Sequence, residues 1–174
     1  GMSLMQVLKD ALGDVNVIAE DLGFLTDGVR RLLHDSGFPG MKVIQFAFDS
    51  REESDYLPHN YEKNCVVYTG THDNDTLCGW YKVLDPEDLK LSQKYMNNAN
   101  TPKRQIHWDF IRLALASVAD LCIIPLQDYL GLGSEARINT PSTLGNNWRW
   151  RMTQGCLTKE LADQIRELTT LYGR

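Results

Sequence analysis

The sequence has no run approaching the ~20 apolar residues of a membrane-spanning helix, so no membrane partner is expected. It has no basic block either. Lys and Arg total 18 against 23 Asp and Glu, a formal net charge of −5, and no nucleic-acid partner is expected. The opening Gly1-Met2-Ser3-Leu4 carries no signal-peptide pattern, and Gly1 ahead of a methionine reads as a cloning remnant. None of the four cysteines, Cys65, Cys78, Cys122 and Cys156, lies in a Cys-x-x-Cys pair or at a zinc-module spacing. Without an export signal they are expected as reduced thiols in a cytoplasmic protein. There is no fixed-period repeat, no low-complexity segment and no clear linker.

What is present is an ordinary globular composition. The chain has 174 residues, 43% hydrophobic and 24% charged, which suits one domain with a core of its own. Leu4, Leu8 and Leu12 predict a short first helix over 5–12. Residues 15–19 read as a strand. Thr26 and Asp27 cap a helix that turns Val29, Leu32 and Leu33 inward and stops near Gly37. Met41 to Phe48 is nearly all apolar, as in a strand covered on both faces. Cys65 to Thr69 reads as a third strand. Asp85-Pro86-Glu87-Asp88 starts a helix that Asn97–Asn100 breaks. A further helix is expected from 101 to about 119. Leu121 to Ile124 is a fourth strand ended by Pro125, and Thr158 caps a last helix. Strands and helices alternate four times, which predicts an α/β fold with about four parallel strands.

In such folds the reactive groups gather at the carboxyl ends of the strands. There the chain delivers Glu20-Asp21, Asp49, His72-Asp73-Asn74-Asp75 and Gln127-Asp128. Asp21, Asp49 and Asp75 read individually as turn or capping residues. Two carboxylates facing one pocket suit acid–base work on an acetal: one protonates the leaving oxygen while the other stays charged beside an oxocarbenium-like carbon. Glu20 and Asp73 are the candidates. The acidic cluster lacks the spacing and closing Glu of a calcium loop, so no metal is expected.

Several long blocks carry a resemblance. Ile18-Ala19-Glu20-Asp21-Leu22-Gly23, Gly37 to Phe48, Leu57-Pro58-His59-Asn60-Tyr61, Tyr68 to Thr76, Gly133 to Asn139 and Gly145 to Arg151 resemble the amylomaltases, or 4-α-glucanotransferases. The blocks keep that family's order from about Gly13 onward. The resemblance implies a (β/α)8 barrel, of which this chain looks like the C-terminal half, strands five to eight with their helices. It implies retaining transfer of α-1,4-glucan segments between malto-oligosaccharides without an organic cofactor. By that resemblance Glu20 is the general acid/base and Asp73 the transition-state stabiliser. His72 bonds sugar hydroxyls, and Phe46 and Asn139 line subsites. Trp80, Tyr81, Trp148 and Trp150 are candidate stacking platforms. His59 shares a family block without a derivable role, His34 reads as exposed, and His107 as part of a helix face.

One family feature is not in the sequence. The nucleophilic aspartate belongs to an Arg-x-Asp-His type motif, and no such motif occurs in the 174 residues. Residues 1–174 are therefore expected to be a partial catalytic barrel domain, inactive alone because no covalent intermediate can form. Open edge strands of a half barrel predict self-association. A reading of another class is a non-catalytic glucan-binding or assembly module.

Overall fold

The computed structural model describes residues 1–13, 16–23 and 25–174. Three strands, β1 (Gly40–Val43), β2 (Cys65–Tyr68) and β3 (Leu121–Ile123), form a parallel sheet in that order. Val43 lies beside Tyr68, and Tyr68 beside Ile123, so the three carboxyl ends are level. Cys65, Val66 and Val67 of the central strand are buried, as the apolar run requires. On β3, Leu121 and Ile123 remain 47% and 38% exposed, so it is a wetter edge.

The expected strand over 15–19 is not found where the chain is described. Residues 16–20 have no regular structure, and Val15 lies outside the described residues. Ala19 N–H does donate to the Pro39 carbonyl at 2.9 Å. The neighbouring donor, Met41 N–H, goes instead to Asp21 Oδ1 at 2.6 Å. A short acidic side chain has replaced a ladder bond. Gly40 makes room for it, because a Cβ there would stand 2.7 Å from Asp21 Oδ2.

β1 also stops earlier than the apolar run suggested. Ile44–Phe46 forms a 3-10 turn, closed by Ala47 N–H on the Ile44 carbonyl at 3.0 Å. The turn buries Ile44, Gln45, Ala47 and Phe48 while leaving Phe46 40% exposed. Strict alternation could not sort these side chains that way.

The helices largely follow their caps. α1 (Met2–Leu12) forms but buries none of its described residues, so Leu4 and Leu12 stay exposed. α2 (Asp27–Ser36) ends at Gly37 with φ 70°. Thr26 makes no side-chain capping bond there, and Val29, expected inward, is exposed. α3 (Leu77–Lys82) is an unanticipated short helix, started by Thr76 Oγ1 accepting Gly79 N–H at 3.1 Å. α4 (Pro86–Met96) is capped by Asp85, which accepts Glu87 N–H at 3.0 Å, and closed by Asn97. The expected 101–119 helix is shorter: a 3-10 turn over Lys103–Gln105 leads into α5 (Ile106–Leu115). α6 (Leu126–Tyr129) follows β3, and α7 (Lys159–Leu171) starts where Thr158 Oγ1 accepts Leu161 N–H at 3.1 Å.

The core lies between the sheet and α3, α5 and α7, around Ile44, Phe48, Val67, Leu77, Phe110 and Leu168. Phe110 is its centre. Trp80, Tyr81 and Phe48 meet its ring edge-on at 5.2, 5.8 and 5.9 Å, an arrangement the ring quadrupoles favour. Arg174 secures the far end of α5, donating to the carbonyls of Leu115, Ser117 and Ala119. Leu115 is an acceptor the helix C-terminus leaves open, Ser117 and Ala119 lie just beyond it, and a cation suits this end. Among the described residues no helix is long and apolar enough to cross a membrane.

Candidate active site

The site is built first from the loop that leaves β2. Thr69 is fully buried and Gly70 follows it. A Cβ on Gly70 would lie 2.6 Å from Gln45 Nε2, so only glycine lets the two segments approach. Gln45 uses that closeness to donate to the Asp75 carbonyl at 2.7 Å. Asn74 then folds the loop over. Its Oδ1 accepts from Thr71 N–H at 2.8 Å and Thr71 Oγ1 at 2.9 Å, while Asn74 N–H returns to the Thr71 carbonyl at 3.2 Å. The Thr71–Asn74 β-turn so closed holds His72 and Asp73 at its apex, and both are exposed.

A second segment, 133–139, docks on that loop. Ser134 Oγ donates to Asp75 Oδ2 at 2.6 Å. Gly79 permits the approach, since a Cβ there would lie 2.6 Å from the same Asp75 oxygen. Arg137 donates to the Asp73 carbonyl at 2.7 Å, and Asn139 Nδ2 to Asp73 Oδ1 at 2.6 Å. His72 Nε2 lies 3.3 Å from that Oδ1, and the Trp148 ring leans on His72 with centroids 5.1 Å apart. Residues 66 positions apart in the chain thus form one cluster around Asp73. Trp148 is 59% exposed and holds a positive φ of 62°.

Glu20 and Phe46 complete the rim. With His72 and Asp73 they line one open cleft of about 1750 Å³. Asn139 reaches it through its bond to Asp73. Phe46 is set edge-on against Tyr56, centroids 5.4 Å apart, and the Tyr56 hydroxyl accepts Gly23 N–H at 3.3 Å. Tyr56 therefore links the Glu20 segment to Phe46; it precedes the Leu57–Tyr61 block and gave no motif signal of its own. Asp21 is buried and spent on Met41. Asp49 is held by Arg51, whose guanidinium and backbone N–H keep its carboxyl down at about 2. Asp75 accepts from Ser134 and Thr76 N–H. These three acids have structural partners, as turn and capping residues do.

The 4-alpha-glucanotransferase family model matches residues 1–158. The chain belongs to that family. It is 49% identical over 174 residues to a Clostridium butyricum 4-alpha-glucanotransferase, covering 99% of this chain and 35% of that protein. It is 45% identical over 177 residues to the chloroplastic/amyloplastic 4-alpha-glucanotransferase of Arabidopsis thaliana, covering 100% of this chain and 30% of that protein. Among solved structures, the amylomaltase from Streptococcus agalactiae in complex with acarbose superposes with a TM-score of 0.92 at 38% identity, over 99% of this chain and 35% of that one. The chain thus spans about a third of the length of the 4-alpha-glucanotransferases it matches.

The other candidate residues of the sequence serve mainly as packing or surface positions. Trp80 lines the cleft but is half-buried against Phe110. Tyr81 packs on Phe110 and its hydroxyl accepts from Gln93 Nε2 at 3.1 Å, so it is a packing residue. Trp150 is half-buried. His59 pairs with the Tyr95 hydroxyl at 2.9 Å and stacks on its ring, joining the 58–60 turn to α4. His34 is exposed. His107 is buried, 3.9 Å from Cys78 Sγ. Burial lowers the His107 pKa and raises the Cys78 pKa, which favours a neutral pair over a reactive thiolate. Among the described residues no group of three or more His, Cys, Asp and Glu is placed to hold a metal ion.

Proposed function

We propose that this chain is the rear part of a 4-alpha-glucanotransferase catalytic barrel, residues 1–174 supplying its C-terminal strands and helices. In this reading Glu20 protonates the leaving glycosidic oxygen and later recovers the proton, and Asp73 stays charged beside the developing oxocarbenium ion. His72 bonds sugar hydroxyls, Asn139 orients Asp73, and Phe46 offers an apolar face to a pyranose ring. The substrate class is α-1,4-linked malto-oligosaccharide; the relative bound to acarbose, a family member at 38% identity, supports a sugar in this cleft. The observation that carries the proposal is the shared cleft of Glu20 and Asp73, with Asp73 bridged to His72 and Asn139. Four free cysteines suit a reducing compartment such as cytoplasm.

Retaining transfer passes through a covalent glycosyl-enzyme, and the family resemblance assigns its attacking carboxylate to an acid other than Glu20 and Asp73. With no Arg-x-Asp-His motif in the sequence, the chain alone binds glucan without turning it over. Calorimetric titration with maltoheptaose, followed by product analysis of the same solution, tests this. Saturable binding with no glucose or longer oligomers is expected. Rapid disproportionation by pure chain overturns the missing nucleophile, and no binding at millimolar sugar overturns the glucan cleft.

The exposed Leu121 and Ile123 on β3 support self-association through that edge. Light scattering at micromolar concentration is expected to read a dimer or larger species, and a clean monomer contradicts it.

A further inference from the structure

One buried acid serves neither the cleft nor a cap of its own helix. Asp128, on α6, is 2% exposed. Its Oδ2 accepts the Thr69 hydroxyl at 2.6 Å and its Oδ1 accepts Leu77 N–H at 2.8 Å. Thr69 is the last residue before the loop that carries His72 and Asp73, and Leu77 is the first after it. Both anchor points are themselves fully buried. A single carboxylate from the next strand's follow-on helix therefore ties both ends of the loop.

We propose that Asp128 is a positioning residue that sets the 70–76 loop, and through it His72 and Asp73, against the cleft. It never touches sugar. Without it the loop keeps its apex contacts to Arg137 and Asn139, but its two feet lose their common reference. Burying such a group is costly unless its partners are matched, and here both oxygens are. Burial also pushes the Asp128 carboxyl up to about 6, so a neutral side chain of the same shape fits the site. Asparagine keeps both contacts: its carbonyl accepts from Leu77 and its amide donates to Thr69. Leucine keeps the volume and neither contact.

The proposal rests on the glucan reading only for its consequence, not for its geometry, and the test separates the two. Amide hydrogen exchange is measured on the unliganded 174-residue chain for wild type, Asp128→Asn, Asp128→Leu and Thr69→Val, comparing Asn74, Leu77 and Trp80 with the amides of α5. Asp128→Leu is expected to speed exchange at the loop by roughly 10-fold or more relative to α5. Asp128→Asn is expected to protect the loop at least as well as wild type, with Thr69→Val between wild type and Asp128→Leu. If Asp128→Leu does not fold, Thr69→Val, which removes one foot alone, carries the same comparison against Asp128→Asn. Equal acceleration of loop and α5, or no acceleration in either anchor variant, overturns the proposal. In parallel, maltoheptaose binding is expected to weaken about 10-fold in Asp128→Leu and to stay within about 2-fold in Asp128→Asn. A local exchange effect in a chain that binds no maltoheptaose leaves the clasp standing and overturns the glucan reading instead.

Discussion

Glu20→Gln is expected to abolish glucan transfer by an enzyme reassembled from this chain and the upstream segment of a relative, with a rate loss of about 10²- to 10⁴-fold. The amide has nearly the shape of the acid, so the cleft around Phe46 and Asp73 stays intact. What it loses is the labile proton. Cleaving a glycosidic bond requires a proton on the departing oxygen, and the return step requires a base to take one from the incoming hydroxyl. A single carboxyl does both, and a carboxamide does neither. Malto-oligosaccharide binding should therefore hold while turnover collapses, which appears in kcat rather than KM. An equal loss of binding and rate would assign Glu20 to holding sugar instead.

Asp128 gives the largest expected effect on stability. Its folded carboxyl sits at about 6 against an ordinary value of 3.8, raised by burial and further by the nearby Asp75, and lowered by its bonds from Leu77 and Thr69. Cys78 on α3 also faces it, and is itself held neutral by burial. Below about pH 4 the folded and unfolded chains both hold the Asp128 proton, and the group contributes no pH dependence. Between about 4 and 6 the unfolded chain releases the proton while the fold retains it, so stability falls as pH rises. The interval corresponds to about 3 kcal/mol. Asp128→Asn does not titrate. The stability of Asp128→Asn relative to wild type is therefore expected to increase by about 2 kcal/mol from pH 4 to 7 in urea unfolding. A difference that stays flat, or shrinks, would mean that the Leu77 and Thr69 bonds outweigh the cost of burying the charge.

Much of this architecture was legible in the residues because it is local. Asp85-Pro86 and Thr158 announced α4 and α7, and the apolar residues from Cys65 announced the central strand. Where the expectation failed, a longer-range contact had overruled local pattern. The strand expected at 15–19 lost its ladder where Asp21 took Met41 N–H from 20 residues away. The run to Phe48 broke into a turn because Gln45 bonds beneath the His72 loop while Phe46 faces the cleft. The amphipathic pattern of α1 is present in the helix, yet Leu4 and Leu12 stay exposed and Leu8 is only half-buried.

The candidate site divides in the same way. Glu20, His72 and Asp73 stand in contiguous motifs, and the structure gathers them on one rim. Asp128, grouped by its position after the fourth strand with the reactive groups, is instead buried, and its anchoring contacts had no sequence signal because its partners lie 59 and 51 residues distant. Neither spacing nor periodicity encodes a bond of that kind. Tyr56 was missed for a similar reason: its hydroxyl meets Gly23 from 33 residues on. The motifs contribute the candidate groups, whereas their orientation comes from residues brought together by the fold.

Mixing the unmodified chain with a purified upstream segment of the Clostridium butyricum relative, then feeding maltotriose, tests the central claim most directly. Glucose and longer malto-oligosaccharides are expected from the mixture and from neither component alone. Transfer by this chain alone, or none from a mixture that demonstrably assembles, would contradict it.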